Sequence, residues 1–292
     1  MKFKTVATKT RITHVWHFAR LAKSCWDFWD EYFGSRHFTK GQKFYVVYTS
    51  LDHSIPFKPD SAIDYLLINF RFMPTTIKLG DAMSREDFNK IRSIYVDISR
   101  ESAVAFRQVP TIMPAFTDHN SHALRFKQGF LKPLNCSPSL HVAIPFFLYN
   151  VSSRQFPEKE PELRQYVGDI VSLVIKAKLH AMIDIAFGLY LSKGAVEGQL
   201  GLPFLDLESF FTGEQKSKDG IPYEEIYRMY REISELAART GGGNGKLPQV
   251  MEHYFREMNL PRITREQSNC LFDVERKELV YPDELKVGGG FV

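Results

Sequence analysis

The chain has 292 residues, enough to bury a substantial core as one large domain or as one domain with an appendage. Apolar residues make up 44% and charged residues 25%, the profile of an ordinary globular protein, and the formal charge is only +4. No concentrated basic stretch gives a nucleic-acid footprint, whereas a slight positive balance suits a small anionic substrate. Three scattered cysteines, Cys25, Cys136 and Cys270, form no CxxC zinc pattern and no disulfide framework, which points to a reducing compartment.

The N-terminus, Met1-Lys2-Phe3-Lys4, has no apolar signal-peptide core. No segment reaches the roughly 18 uninterrupted apolar residues of a spanning helix. The nearest, 166–191, is broken by Asp169, Lys176, Lys178, His180 and Asp184. The expectation is a soluble, cytoplasmic protein with no spanning membrane segment.

Apolar positions recur mostly at helical spacing, and strand-like alternation is rare. The 15–33 stretch sets Trp16, Ala19, Ala22, Trp26, Trp29 and Phe33 along one broad stripe. Stretches 63–72 and 86–109 follow, the first ended by Pro74 and the second long and amphipathic. Stretches 140–151 and 166–191 read as a helical pair joined by a polar, proline-containing link. Beyond Gly201 the character changes: 221–239 is an amphipathic helix with Pro222 near its start and Gly241-Gly242-Gly243 after its end. A further helix over 249–258 and short extended pieces are expected within a polar tail. The fold class expected is all-α, a helical bundle over 1–200 with a helical and partly irregular extension over 201–292 packed on it.

Three segments carry chemistry. Arg100 and Arg107 stand seven residues apart, close to two helical turns, so two guanidiniums on one helix side are able to grip a tetrahedral oxyanion. In Asn135-Cys136-Ser137-Pro138-Ser139-Leu140-His141, the Pro-Ser pair stands where a helix begins, with Ser139 as the candidate N-cap. The unpaired N–H groups and positive dipole end of such a helix attract an anion, and His141 in its first turn is placed to protonate a leaving oxygen. In the third segment, His180 and Asp184 are i,i+4 and meet on one face if the segment is helical. A carboxylate on one ring nitrogen fixes the tautomer and leaves the other nitrogen as a nucleophile. Gly188, four residues on, permits close helix contact.

Pro138-Ser139-Leu140-His141 followed about forty residues later by His180-x-x-x-Asp184, with two basic residues upstream, resembles the type 2 phosphatidic acid phosphatase superfamily. Asp52-His53-Ser54-Ile55-Pro56-Phe57 is similar to an early segment of its inositol phosphorylceramide synthase-like branch, and the likeness runs over about 50–192. It implies the helical bundle shared by those phosphatases and the haloperoxidases. It also implies that His180 attacks phosphorus, Asp184 orients it and His141 protonates the leaving group, with Arg100, Arg107 and Ser139 on the phosphoryl oxygens. Arg100 stands where the family has a lysine. Leu173 and Val174 stand where it has Ser-Arg, so Lys178 is expected to supply the missing charge.

The activity implied is a phosphatase or phosphotransferase using a phosphohistidine and requiring neither metal nor cofactor. Its partner is a small phosphate or diphosphate ester, an isoprenyl diphosphate among the candidates, and no nucleic acid. A terpene synthase-like lyase ionising an allylic diphosphate, and a non-catalytic phosphate-ligand binding protein, are the alternatives. Cys136 as a thiolate, Asp118-His119 with His122 and His14 with His17 as metal ligands, and the glycine run 241–246 as a phosphate loop are weaker candidates.

Overall fold

The computed structural model describes residues 42–58, 73–113, 136–212, 220–241 and 245–264. It also describes the backbone of strands Ala115–Phe116, Leu271–Asp273 and Glu278–Val280, and the single positions Ala19, Lys23, Trp26 and Asp30. The stretch 63–72 and the candidate ligands His14, His17, Asp118, His119 and His122 lie outside the described residues.

Over these residues the protein is mainly helical. In chain order come β1 (Lys43–Val46), α1 (Ser50–His53), α2 (Met73–Ala82), α3 (Arg85–Gln108), β2 (Thr111–Ile112) and β3 (Ala115–Phe116). Then follow α4 (Leu140–Gln155), α5 (Glu160–Lys176), α6 (Met182–Lys193) with a π-helical continuation over Gly194–Gln199, and α7 (Leu207–Thr212). The chain continues with α8 (Tyr223–Arg239), α9 (Leu247–Glu257), β4 (Arg262–Thr264), β5 (Leu271–Asp273) and β6 (Glu278–Val280).

Side-chain pattern sorts these helices into layers. In α4 and α6 buried residues occur all round the helix, as expected of elements surrounded by others. The two pack against each other, and α4 also meets α2, α3 and α5. The outer helices are amphipathic. In α3, Ile91, Ile94, Ile98, Ser102 and Ala105 form the buried stripe, while α8 lays Ile226, Met229, Ile233 and Leu236 towards α6. Helix α9 closes on α3, placing Phe255 and Tyr254 edge-on to Phe187 of α6. One hydrophobic cluster therefore joins residues from both sides of Gly201.

Two short three-stranded sheets accompany the helices and leave the mainly helical class as expected. In one, β1 pairs in parallel with β2 and antiparallel with β4; in the other, β5 lies between β3 and β6. Strands of two to four residues leave little alternation to read, and their partners are far away in sequence. The first sheet bears on the site, because Thr111 on β2 accepts the Ser137 N–H through its hydroxyl at 3.0 Å and so anchors the segment leading into α4.

Near the N-terminus, Ala19, Lys23, Trp26 and Asp30 are helical and all exposed, Trp26 by 76%. Two members of the expected apolar stripe, Ala19 and Trp26, therefore face outward together with two charged residues at helical spacing. Among the described residues no helix is long and apolar enough to cross a membrane.

Candidate active site

The chain around His180 differs from the expected continuous helix. Helix α5 ends at Lys176, α6 begins at Met182, and His180 lies in the link between them. Lys178 has φ of 51°, its N–H donates to Ile175 C=O at 2.9 Å, and Leu179 N–H donates back to Val174 C=O at 3.0 Å. This is the paired-bond ending that a left-handed residue makes after a helix, here built on lysine in place of glycine. A left-handed non-glycine residue costs on the order of 1 kcal/mol, so the surroundings must hold it.

The break corrects the route by which His180 reaches Asp184. They are not two residues on one helical face. His180 precedes the N-cap Ala181, and Asp184 occupies the third position of α6. There the Asp184 carboxyl group accepts the Ala181 N–H through Oδ2 at 2.9 Å, serving the start of the helix, and the same oxygen lies 3.5 Å from His180 Nδ1. Asp184 is fully buried. Burial pushes its carboxyl up to about 8, against the Ala181 N–H and the Ser137 hydroxyl, which lower it.

His141 arrives from α4. Ser139 is the N-cap residue and His141 lies in the first turn, as the sequence indicates. The Ser139 hydroxyl makes no capping bond, however; it is buried and has no hydrogen-bond partner among the described residues. Its backbone does the docking instead: Ser139 N–H donates to Asp184 C=O at 2.9 Å, tying the start of α4 to the first turn of α6. Gly188 makes this approach possible, because a Cβ there would lie 2.6 Å from Ser139 O and 3.2 Å from Val142 Cβ. Farther along α4, Pro145 has no N–H to give to the His141 carbonyl one turn back.

The two imidazoles meet across this seam. His141 Nδ1 is 3.3 Å from His180 Nε2, with ring centroids 5.5 Å apart and planes tilted by 49°. Asp184, His180 and His141 therefore stand in a row, carboxyl to imidazole to imidazole. His180 is 8% exposed and His141 is half-buried, so the row runs from the core towards the surface.

The remaining expected site residues are placed otherwise. Arg100 and Arg107 do share a side of α3, but both are exposed, on the side opposite the buried stripe, and Arg100 lies 4.0 Å from Asp97. Lys178 is buried; its ammonium donates to the Asp52 carbonyl and lies 5.5 Å from the centre of the Tyr48 ring. Burial lowers it to about 8, while Asp52 pulls the other way. Cys136 is part of the buried core ahead of α4 and not a thiol presented at a helix start. In the glycine run, Gly241 and Gly245 take left-handed conformations between α8 and α9, and Lys246 donates to Gly241 C=O at 2.8 Å; 242–244 lie outside the described residues. Among the described residues no three His, Cys, Asp or Glu side chains gather as a metal site.

Asp52 belongs at the site although it was not among the expected site residues. Its Oδ1 accepts the Met182 N–H at 2.8 Å, and Oδ2 accepts the Thr49 N–H and hydroxyl at 2.9 and 2.8 Å. Desolvation raises its carboxyl to about 6 despite these three donors, with Asp184 adding a smaller push in the same direction. The signal available in the sequence was its place at the head of Asp52-x-x-Ile55-Pro56-Phe57.

Comparison with family models, with curated proteins and with solved structures found no match for this chain.

Proposed function

We propose that this protein is a phosphatase or phosphotransferase that cleaves a phosphate or diphosphate ester through a phosphohistidine on His180, in the manner of the type 2 phosphatidic acid phosphatase superfamily. One observation carries the reading: Asp184 Oδ2, the two nitrogens of His180 and His141 Nδ1 stand in sequence at 3.5 and 3.3 Å. A carboxyl oxygen against Nδ1 accepts its hydrogen and favours the tautomer whose Nε2 lone pair is available for attack, and the second histidine stands at the reacting nitrogen.

The chemistry follows from that order. The Nε2 lone pair of His180 attacks phosphorus, and the ester P–O bond breaks with its electrons passing to the leaving oxygen. Protonated His141 delivers the proton that oxygen takes. Neutral His141 then removes a proton from water, or from an acceptor hydroxyl, as that oxygen attacks phosphorus and the N–P bond breaks. The Ser139 hydroxyl, buried beside His141 with no partner among the described residues, is the hydroxyl donor for a phosphoryl oxygen. A separation of 3.3 Å is a hydrogen-bond distance, so a phosphoryl group is admitted only when the His141 ring moves aside.

The test is turnover with aryl phosphates and isoprenyl diphosphates, with quench-trapping of labelled phosphate on the protein. Wild-type protein should release phosphate or pyrophosphate and carry label at His180, and His180→Ala should do neither. Equal release by the variant would remove the mechanism. Cyclic hydrocarbon products would instead identify a lyase, and tight binding without turnover a phosphate-binding protein.

A further inference from the structure

The link that carries His180 has no helix or strand to hold it, and its left-handed residue needs outside support. One residue about 130 positions earlier in the chain supplies such support on both sides of His180. Ahead of His180, the Lys178 ammonium donates to the backbone carbonyl of Asp52. Behind His180, the Met182 N–H donates to Oδ1 of the Asp52 side chain at 2.8 Å. The other carboxylate oxygen is held by the Thr49 N–H and hydroxyl, so the grip is itself braced.

We propose that Asp52 is a positioning residue for His180, clamping the 178–182 link from both sides so that Nδ1 faces Asp184 and Nε2 faces His141. The division of labour between the two buried acids follows from their contacts. Asp184 lies against the imidazole, whereas both Asp52 oxygens are occupied by N–H and O–H donors of the main chain and of Thr49. Asp52 therefore has no part in proton transfer. It acts through the backbone, capping α6 at Met182 while Asp184 caps it at Ala181. With the Met182 bond gone, the first turn of α6 keeps its local bonds and the Ser139 N–H bond to Asp184 C=O, but Met182, next to the link, loses its anchor and the imidazole loses its fixed orientation.

The test has a kinetic and a spectroscopic arm, and only the kinetic arm rests on the phosphohistidine reading. Nitrogen-15 spectra of the imidazoles should show a single His180 tautomer in the wild type and averaging of the two in Asp52→Ala. Its kcat should fall about 10- to 100-fold with KM changed less than about threefold, as when an orienting partner is lost. Asp52→Asn keeps an oxygen for the Met182 N–H and should recover part of both losses. Tyr254→Phe, which removes a bond to Glu232 between α8 and α9, serves as the stability control and should leave the His180 signals unchanged. An Asp52→Ala protein with wild-type tautomer and wild-type kcat would overturn the proposal. Should Asp52→Ala fail to fold by circular dichroism, Thr49→Val, which removes one brace, should shift the His180 signals in the same direction, and unchanged signals would overturn it equally. If the wild type turns over no substrate, the functional reading fails and the tautomer measurement alone decides the role of Asp52.

Discussion

The seam between α4 and α6 and the outer side of α3 both carry the ionisable groups expected of a phosphate site, yet their environments differ. At the seam His180 and Asp184 are buried, Asp184 completely, and His141 is half-buried between them and the surface. On α3 the Arg100 side chain is 63% exposed and spends its charge on Asp97 one turn away. Solvent screens the second arrangement, and a surface ion pair contributes little; exclusion of water makes the first chemically consequential. Residue type alone does not make a site: two arginines at suitable spacing remain surface residues when the buried stripe of their helix turns the other way.

The sharpest way to break this contrast is at the seam itself. His180→Ala should reduce turnover by on the order of 10³-fold or more, measured as initial rates with an aryl phosphate, because the proposed attacking nitrogen is lost. His141→Gln should cost about 10²- to 10⁴-fold on esters with poor leaving groups. The loss should shrink for nitrophenyl esters, whose leaving oxygen needs no proton; an equal loss on both would assign His141 another role.

Gly188→Ala should cost about 1–3 kcal/mol, read as a lower Tm, because its new Cβ would press on Ser139 O at 2.6 Å and force α4 and α6 apart. Asp184 supplies a pH test. Its carboxyl is raised to about 8 from an unfolded value near 4, so folding favours the protonated form. The stability this gives is fully present below about pH 4 and is lost as the pH rises towards 8. The Tm of Asp184→Asn relative to wild type should therefore climb between pH 5 and 9, and a difference independent of pH would show that the carboxyl titrates normally. The smallest effect belongs to the other region: Arg100→Ala should change kcat/KM by less than about threefold. A loss near 10²-fold would return α3 to the site.

How much of this was legible in the sequence varies with the physics behind each element. The long amphipathic helices were readable because burial on one side and solvent on the other writes a 3.6-residue period. The expected 86–109 and 221–239 correspond to Arg85–Gln108 and Tyr223–Arg239. The start of α4 was readable from Pro138-Ser139, and the tight contact at Gly188 from its position after Asp184. The break at 177–181 was not, because apolar spacing continues through it and its left-handed residue is Lys178 with no glycine or proline nearby. The pairing of the sheets escaped for a different reason. Lys43–Val46 finds partners near 111 and 263, and no local pattern records a pairing over such separations. Asp52 was visible only as the first letter of a motif, since its role is exerted on backbone N–H groups, which every non-proline residue possesses.

The contact between the two imidazoles has a consequence for where protons reside before any substrate arrives. If His180 keeps its hydrogen on Nδ1 for Asp184, its Nε2 has only a lone pair to offer, and the hydrogen in the 3.3 Å contact belongs to His141. In this contact the proposed nucleophile and the proposed proton donor face each other directly. On the proposed mechanism, moving that ring aside would expose the attacking atom and free the proton donor in one movement.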